Sequence, residues 1–260
     1  MKNKLNLVMI ALAGLSIVGC SKDERDYNDQ PVQADVIIAS GDSSAIAGKL
    51  VAFRELAGKS LNNSPGATGG RREINWDAVP ADLLNKNTFP SDFFNATEKD
   101  AADGRKRGIS FLPANTAFRV SDNNFADIDP ALGSQFGAFS KSKTFSPIGS
   151  TITELMFTVP GTNTAAYVNS FGVIFSDVDN ASATAVEVYE GNTLLGKVRP
   201  TAADKKFSFV GIHTKGHKIT NVKIITGNKA ISAGVTDGTT SDMVIMDDLI
   251  YSEPRPYSSN

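Results

Sequence analysis

The sequence predicts an all-β protein: an antiparallel β-sandwich of jelly-roll kind with one short N-terminal helix. Three observations lead to this prediction. After Gly70, short runs rich in Val, Ile, Phe and Thr recur, and Gly, Asn, Asp or Pro residues separate them. Helical periodicity is confined to one stretch near the N-terminus and is almost absent after Leu84. No repeat period is present, which argues against a propeller or a solenoid.

The first 19 residues have the pattern of an export signal. Lys2 and Lys4 precede a nearly uninterrupted apolar run over residues 5–18, which is shorter than a membrane span. The only cysteine of the chain, Cys20, follows directly. The stretch IVGC (17–20) resembles the lipobox of bacterial lipoproteins. That resemblance implies cleavage before Cys20 and a lipid on its thiol, which would anchor the protein to a membrane.

Two other interpretations of Cys20 are an ordinary signal peptide without a lipid and a buried apolar thiol. No second cysteine is available to form a disulfide. A catalytic thiol needs a polarising base held nearby, and a removed or anchored segment does not provide one. We therefore expect lipid attachment at Cys20.

Residues 20–35 are expected to form a flexible tether. Residues 21–29, SKDERDYND, carry four carboxylates against two basic side chains and lack the apolar area needed to fold alone. The triplet KDE (22–24) resembles the export signal of surface lipoproteins in the Bacteroidetes. This resemblance implies an outer-membrane lipoprotein of the cell envelope that faces the outside.

The overall charge argues against a nucleic-acid partner. Of the 26 Lys and Arg residues, Lys2 and Lys4 fall in the signal, so 24 basic residues oppose 28 acidic ones after its removal, a net charge of −4. A nucleic-acid-binding surface needs a basic excess. The remaining length fits one large domain, predicted over residues 36–255 with a tail at 256–260.

The helix is predicted near residues 44–57. Asp42 and the two serines after it are N-cap candidates, and Gly58 fits the C-terminal cap. The apolar stripe that predicts this helix consists of Ile46, Leu50, Phe53 and Leu56.

Ten strand-like segments follow, with short connections between them. They cover residues 73–77, 108–112, 117–120, 151–159, 168–175, 185–189, 193–198, 206–213, 219–226 and 243–251. Three hairpins are expected among them: 108–112 with 117–120, 185–189 with 193–198 across a Glu-Gly-Asn turn, and 206–213 with 219–226.

Several segments resemble a widespread family of exported bacterial proteins of unknown function. They are GRREINWD (70–77), FPSDFFN (89–95), FGAFSKSKTFSPIGS (136–150), FTVPGT (157–162), SFGVIFSDVD (170–179), FSFVGI (207–212), IITGN (224–228) and MDDLIYSEP (246–254). The resemblance implies a β-sandwich like those of carbohydrate-binding modules. It implies no particular activity.

Carboxylates at the ends of strands suggest a structural calcium ion. Asp177 and Asp179, spaced i and i+2, lie at the end of one predicted strand, and Asp247 and Asp248 lie on the last strand. Asp77 and Asn180 are candidates for further oxygen ligands. Calcium takes six to eight oxygen ligands, and an ion would compensate for the missing disulfides. The alternative is that Asp177 and Asp179 are turn residues and Asp248 faces solvent.

Other motifs are weak. His213 and His217 have a spacing that favours zinc on a helix, but a turn between strands is expected here, so we interpret both as exposed turn histidines. Trp76 lies in a predicted strand, where a core position is more frequent than an exposed sugar-stacking one.

These observations favour a non-catalytic surface lipoprotein that binds an extracellular ligand, with a glycan or another envelope protein as candidate partners. No enzyme signature was found: the Gly-rich stretch at 66–70 lacks the Lys-Ser/Thr of a phosphate loop, and no nucleophile elbow is present. Two alternatives stay open. One is an enzyme that acts on polysaccharide, and the other is a structural component of the cell envelope.

Overall fold

A computed structural model of the chain describes residues 34–112 and 117–258, and of these residues 43% are in strands and 11% in helices. This content confirms the predicted all-β, sandwich-like fold. The predicted signal (1–19), Cys20 and all but the last two residues of the predicted tether lie outside the described residues. Within the described ranges, neither helix has the length and apolarity needed to span a membrane.

The elements follow one another in this order: β1 (Ala34–Gly41), α1 (Ser43–Ala57), β2 (Arg71–Ile74), β3 (Ile109–Leu112), β4 (Ala117–Ser121), α2 (Leu132–Gln135), β5 (Thr144–Ile148), β6 (Ile152–Phe157), β7 (Ala166–Tyr167), β8 (Ser170–Val178), β9 (Ala185–Glu190), β10 (Thr193–Val198), β11 (Ala203–Thr214), β12 (Asn221–Ile225), β13 (Ile245–Ser252) and β14 (Arg255–Pro256). Two single-turn 3-10 helices lie at Ala81–Leu83 and Asp103–Arg105.

The strands form two large sheets. The seven-stranded sheet has the order β1-β11-β8-β13-β5-β4, and β2 also pairs with β13. The five-stranded sheet has the order β10-β9-β12-β6-β3, and β14 pairs with β7 in a small separate ladder. All of these strand pairs are antiparallel. From β5 to β6, β8 to β9 and β10 to β13 the chain passes repeatedly from one sheet to the other, as in jelly-roll folds.

The main core lies between the two sheets. It contains buried side chains from both, including Phe157, Val186 and Ile224 of the five-stranded sheet and Phe171 and Leu249 of the seven-stranded one. In β6 and β12 of the five-stranded sheet, every second residue is buried, because successive side chains of a strand point to opposite faces.

Trp76 lies in this core, 1% exposed, as the sequence predicted. Its ring stacks on Phe145 at 4.3 Å between centroids, and its Nε1 donates to the carbonyl of Asp247 at 2.9 Å. The predicted strand at 73–77 is shorter than expected, because β2 ends at Ile74 and Trp76 has a φ of 63°.

Helix α1 covers the outer face of the seven-stranded sheet. Ile46, Leu50, Phe53 and Ala57 are its buried residues, and they pack against residues of β8, β11 and β13. Leu56, predicted in this stripe, is instead 37% exposed, and Ala57 takes the buried position. With 3.6 residues per turn, residues ten and eleven positions after Ile46 both lie near its face of the helix, so the sequence pattern does not separate Leu56 from Ala57.

Besides the main core and the apolar cluster that α1 forms with the seven-stranded sheet, a further apolar cluster lies beside α2. It joins Phe125, Leu132 and Phe136 to Met243 and Ile245. Neither of the two helix-associated clusters contains a residue of the five-stranded sheet. The outer face of that sheet therefore keeps exposed side chains.

Two of the three predicted hairpins are wrong. Strand β3 pairs with β6 and β4 pairs with β5, so residues 108–112 and 117–120 belong to different sheets. Likewise β11 pairs with β1 and β8, whereas β12 pairs with β6 and β9. The hairpin of β9 and β10 is confirmed. A short turn between two apolar runs serves equally well for a hairpin and for a crossing between the sheets, so local pattern does not separate the two.

Candidate cation site

An acidic cluster lies at one end of the sandwich, where β8 ends. Strand β8 is buried throughout, and Asp177 is fully buried near its end with a φ of 66°. Asp179 follows on the partly exposed side. The carboxylate oxygens of Asp177, Asp179 and Asp204 lie within 4.8 Å of one another.

An irregularity in β11 places Asp204 in the cluster. The pairing of β11 with β8 shifts register between Ala203 and Phe207, and Lys205 within this bulge has a φ of 53°. The backbone N–H of Lys205 donates to Oδ1 of Asp177 at 2.6 Å. The bulge therefore brings both the Asp204 carboxylate and a backbone donor to the end of β8.

The long connection between β12 and β13 supplies two more carboxylates. Asp237 and Asp242 form a second group with Asp179, again with oxygens within 4.8 Å. Asp242 is fully buried and accepts backbone N–H groups from Asp179 at 3.0 Å and Asn180 at 3.2 Å. The carboxylate of Asp237 accepts a hydrogen bond of 2.6 Å from the backbone N–H of Met243. This bond holds Asp237 against the residues that directly precede β13.

Gln135, at the end of α2, bridges the two groups. Its Nε2 donates to Oδ2 of Asp177 and, at 2.9 Å, to Oδ2 of Asp237. An uncharged amide thus joins two carboxylates of the cluster, and each of its two hydrogens has an acceptor.

The electrostatics of the cluster disfavour the charged forms. Burial, together with a hydrogen bond shared with Asp237, raises the pKa of Asp177 to about 7. Burial raises the pKa of Asp242 to about 6, and burial likewise raises the pKa of Asp179 and of Asp237. Nearby like charges add to each of the last three shifts. A bound cation would reverse this effect because it stabilises the ionised carboxylates.

The cluster opens into a cavity of about 510 Å³. Its lining includes Gln135, Asp179, Asp204, Lys205, Asp237 and Thr239. The arrangement offers several carboxylate oxygens, an amide and a solvent-facing side, which is the donor set that Ca²⁺ takes in proteins.

The structure brings together only part of the carboxylate set predicted from the sequence. Asp177 and Asp179 meet as expected. Asp77, Asp247 and Asp248 belong to no group of three metal-ligating side chains among residues 34–112 and 117–258.

Asp247 and Asp248 instead hold the segment that precedes β5. Ser140 Oγ donates to Oδ1 of Asp248 at 2.6 Å and lies 3.1 Å from Oδ1 of Asp247. The backbone N–H of Phe139 donates to Oδ2 of Asp247 at 2.5 Å. Both carboxyls are buried, so the interpretation of Asp248 as solvent-facing is wrong. Asp77 lies 3.3 Å from Nζ of Lys141.

Sequence reasoning missed Asp204, Asp237 and Asp242. No local motif links them to Asp179, because they lie 25 to 63 residues further along the chain. The one available signal was position: Asp237 precedes a glycine in a turn-rich segment, and Asp242 directly precedes the last predicted strand.

The histidines do not form a metal site with each other. His213 is half-buried within β11, and its Nδ1 lies 2.7 Å from Oγ of Ser170. The expectation of an exposed turn histidine is therefore wrong for His213, because the strand continues to Thr214. His217 does lie in the following turn, with Nδ1 3.6 Å from a carboxylate oxygen of Glu190.

Comparisons of the chain with protein-family models, with curated proteins and with solved structures find no match. The resemblances drawn from the sequence stay predictions.

Proposed function

We propose that this protein is a lipid-anchored, non-catalytic binding module of the outer cell surface, stabilised by a calcium ion in the acidic cluster. The observation that carries the calcium proposal is the convergence of Asp177, Asp179, Asp204, Asp237 and Asp242 at one end of the sandwich. Cation binding is the simplest chemistry that makes such a concentration of carboxylates favourable, because two of them, Asp177 and Asp242, are buried.

The position of the cluster supports a surface-anchored module. Ala34 pairs with Thr214 at one end of the seven-stranded sheet, whereas Ala203 pairs with Val178 at the other end. The chain that leads back to Cys20 therefore leaves the sandwich at the end opposite the acidic cluster. A lipid on Cys20 would therefore be joined to the sandwich at the end opposite the cluster.

Thermal melting of the full chain tests the calcium ion. The midpoint in excess Ca²⁺ should exceed that in EDTA, because a ligand at 100 times its Kd stabilises the folded state by about 2.7 kcal/mol. For a chain of this size such a gain corresponds to a shift of roughly 5–10 °C. Asp179→Asn and Asp242→Asn should lose this shift.

The matched control is Asp35→Asn. Asp35 is a carboxylate at the other end of the molecule, 2.7 Å from Nζ of Lys215, and its removal should leave the calcium response intact. An identical midpoint in Ca²⁺ and EDTA would remove the ion from the proposal.

Fractionation of the producing cells tests the anchor. The unaltered protein should be found with the membranes and should be digested by protease added to intact cells. Cys20→Ser should release it from the membrane fraction. Retention of the Cys20→Ser protein in that fraction would contradict lipid anchoring.

A second candidate function is an enzyme that acts on polysaccharide. The specific observation in its favour is the carboxyl of Asp177, whose pKa is raised to about 7. It is buried beside Asp179, Asp204 and Asp237, which line the cavity. Glycoside hydrolysis uses a protonated carboxylic acid and an ionised carboxylate together. Release of reducing sugar from a polysaccharide panel, abolished by Asp237→Asn, would favour the enzyme, and its absence would favour the binding module.

A further inference from the structure

The outer face of the five-stranded sheet differs from that of its partner sheet because neither helix-associated cluster covers it. We call it the open face and define it by two rows of side chains that run across the strands in register. The first row contains Leu112, Glu154, Lys223, Glu187 and Lys197. The second contains Ser110, Met156, Asn221, Tyr189 and Leu194.

The first row is electrically balanced. It contains two glutamates and two lysines in alternation, and Glu187 lies 3.3 Å from Nζ of Lys197 and 3.7 Å from Nζ of Lys223. Tyr189 adds a hydrogen bond of 2.6 Å to Glu187. Burial raises the pKa of Glu187, but the tyrosine and the two lysines outweigh it and hold the pKa below its usual value. The two positive and two negative charges cancel, so the row has no net charge, and Glu187 is paired with both lysines.

Two adjoining cavities form a groove on this face. Their volumes are about 250 and 340 Å³, and they share Leu112, Gly191, Asn192 and Asn221. The turn between β9 and β10, which contains Gly191 and Asn192, borders both cavities. The groove therefore extends across several strands and suits an extended ligand more than a compact one.

The groove combines apolar surface with free amide groups. Met156 is 45% exposed in it, beside Leu112 and Tyr257. The side chain of Asn192 has no hydrogen-bond partner among the described residues. Asn221 uses its Oδ1 to accept from Thr220 at 2.8 Å. This leaves the Asn221 Nδ2 for a ligand.

We propose that this groove binds a short segment of a neutral oligosaccharide. A pyranose ring has an apolar C–H face, which would pack on Met156 and Tyr257, and hydroxyl groups at its edge, which would bond to Asn192 and Asn221. The balance of charge on the open face gives no advantage to an anionic or cationic chain. The inference rests on the proposed binding function and names its ligand class and its surface.

Affinity electrophoresis of the full chain in gels containing soluble polysaccharides tests the proposal. The neutral probes are xylan, mannan and β-glucan, and the anionic probes are alginate and polygalacturonate. At least one neutral probe should retard the protein. Asn192→Ala and Met156→Ala should each weaken that retardation at least tenfold in apparent Kd, because both side chains would contact the sugar.

Val51→Ala is the matched control, since Val51 is an exposed apolar residue on α1, 58% exposed and away from the groove. It should bind as the unaltered protein does. Retardation that survives both Asn192→Ala and Met156→Ala would overturn the groove and leave the binding module in place. Retardation by none of the neutral probes, or by the anionic probes alone, would overturn the proposed ligand class.

The calcium response keeps the two proposals apart. Asn192→Ala and Met156→Ala should still melt at a higher temperature in Ca²⁺ than in EDTA, because the acidic cluster is unchanged in them. A loss of sugar binding accompanied by loss of the calcium shift would indicate a folding defect. In that case Asn192→Asp, which keeps the size of the side chain and removes its donors, must lose binding while retaining the shift, or the proposal fails.

Discussion

At the scale of single residues, the contact that fixes α1 on the sheet depends on two glycines. The ring of Phe53 lies against Gly172 of β8 and Gly211 of β11. A Cβ at Gly211 would lie 2.5 Å from Cδ2 of Phe53, and one at Gly172 would lie 2.6 Å from its Cε1. Neither glycine has a positive φ, so the requirement for glycine is one of space alone.

Gly211→Ala should destabilise the protein by about 1–3 kcal/mol, because the added methyl forces Phe53 out of its position. Gly48→Ala, on the exposed side of α1 where a Cβ meets nothing within 4 Å, is the matched control and should raise stability by up to about 1 kcal/mol. Urea unfolding measures both. Equal stability of Gly211→Ala and the unaltered chain would contradict the packing described for Phe53.

A second residue-scale feature is the buried ion pair of Arg72 and Glu253. Their charged atoms lie 2.7 Å apart, with side chains 0% and 2% exposed. Glu253→Gln should destabilise the fold by about 3–5 kcal/mol, because it leaves a buried guanidinium without its counter-charge. Asp35→Asn, which removes an exposed pair, should cost at most about 1 kcal/mol. A smaller loss for Glu253→Gln than for Asp35→Asn in urea unfolding would refute this assignment.

At the scale of elements, the helix and most strands could be predicted, and their pairing could not. The stripe of Ile46, Leu50 and Phe53 predicts α1 because its period follows from helix geometry. The partners of β3 and β11 depend on which sheet each strand joins, and no nearby residue encodes that choice. The same reason explains why only part of the acidic cluster could be predicted. Asp177 and Asp179 lie at the end of the same strand, whereas Asp242 lies on the connection between β12 and β13, far along the chain.

One connection, residues 136–141, is held in place by Asp247. Burial, then the charge of Asp248, raises the pKa of the Asp247 carboxyl well above its usual range. The folded state therefore retains a proton that the unfolded chain has released above pH 4. The stabilisation from this proton is complete below the unfolded pKa and is lost as the pH rises through the folded pKa.

Asp247→Asn should therefore flatten the decline in stability between pH 5 and pH 8 and should raise stability at pH 8. The amide oxygen of the variant still accepts from Phe139, so the connection stays attached. The exposed Asp82→Asn is the control and should follow the unaltered protein. Free energies of unfolding from urea at both pH values give the comparison, and parallel lines for Asp247→Asn and the unaltered chain would argue against the buried proton.

At the scale of the whole molecule, the acidic cluster couples stability to both protons and cations. The pKa of Asp177 is raised to about 7 and that of Asp242 to about 6. In the absence of a cation, both groups stabilise the fold below pH 4, and this contribution is lost as the pH rises through 6 and 7. A bound cation requires the deprotonated carboxylates, so it acts in the opposite direction.

The melting midpoint of the full chain in EDTA should therefore fall between pH 5 and pH 7.5, and the gain in midpoint from excess Ca²⁺ should grow over the same interval. Asp177→Asn should reduce the fall in EDTA because it removes the group whose pKa is raised furthest in this cluster. A calcium gain that shrinks as the pH rises would contradict binding by these carboxylates.

The edge position of β1 has a mechanical consequence. Eight consecutive residue pairs, from Ala34 with Thr214 to Gly41 with Phe207, join it to β11. If the chain is tethered at Cys20, a pull on a ligand held elsewhere on the sandwich reaches the domain through the Ala34 end of this strand. A force along the strand axis then loads all eight pairs at once in shear, whereas a force across it would open them one by one. The direction of the pull would therefore decide how long β1 stays paired with β11 under load.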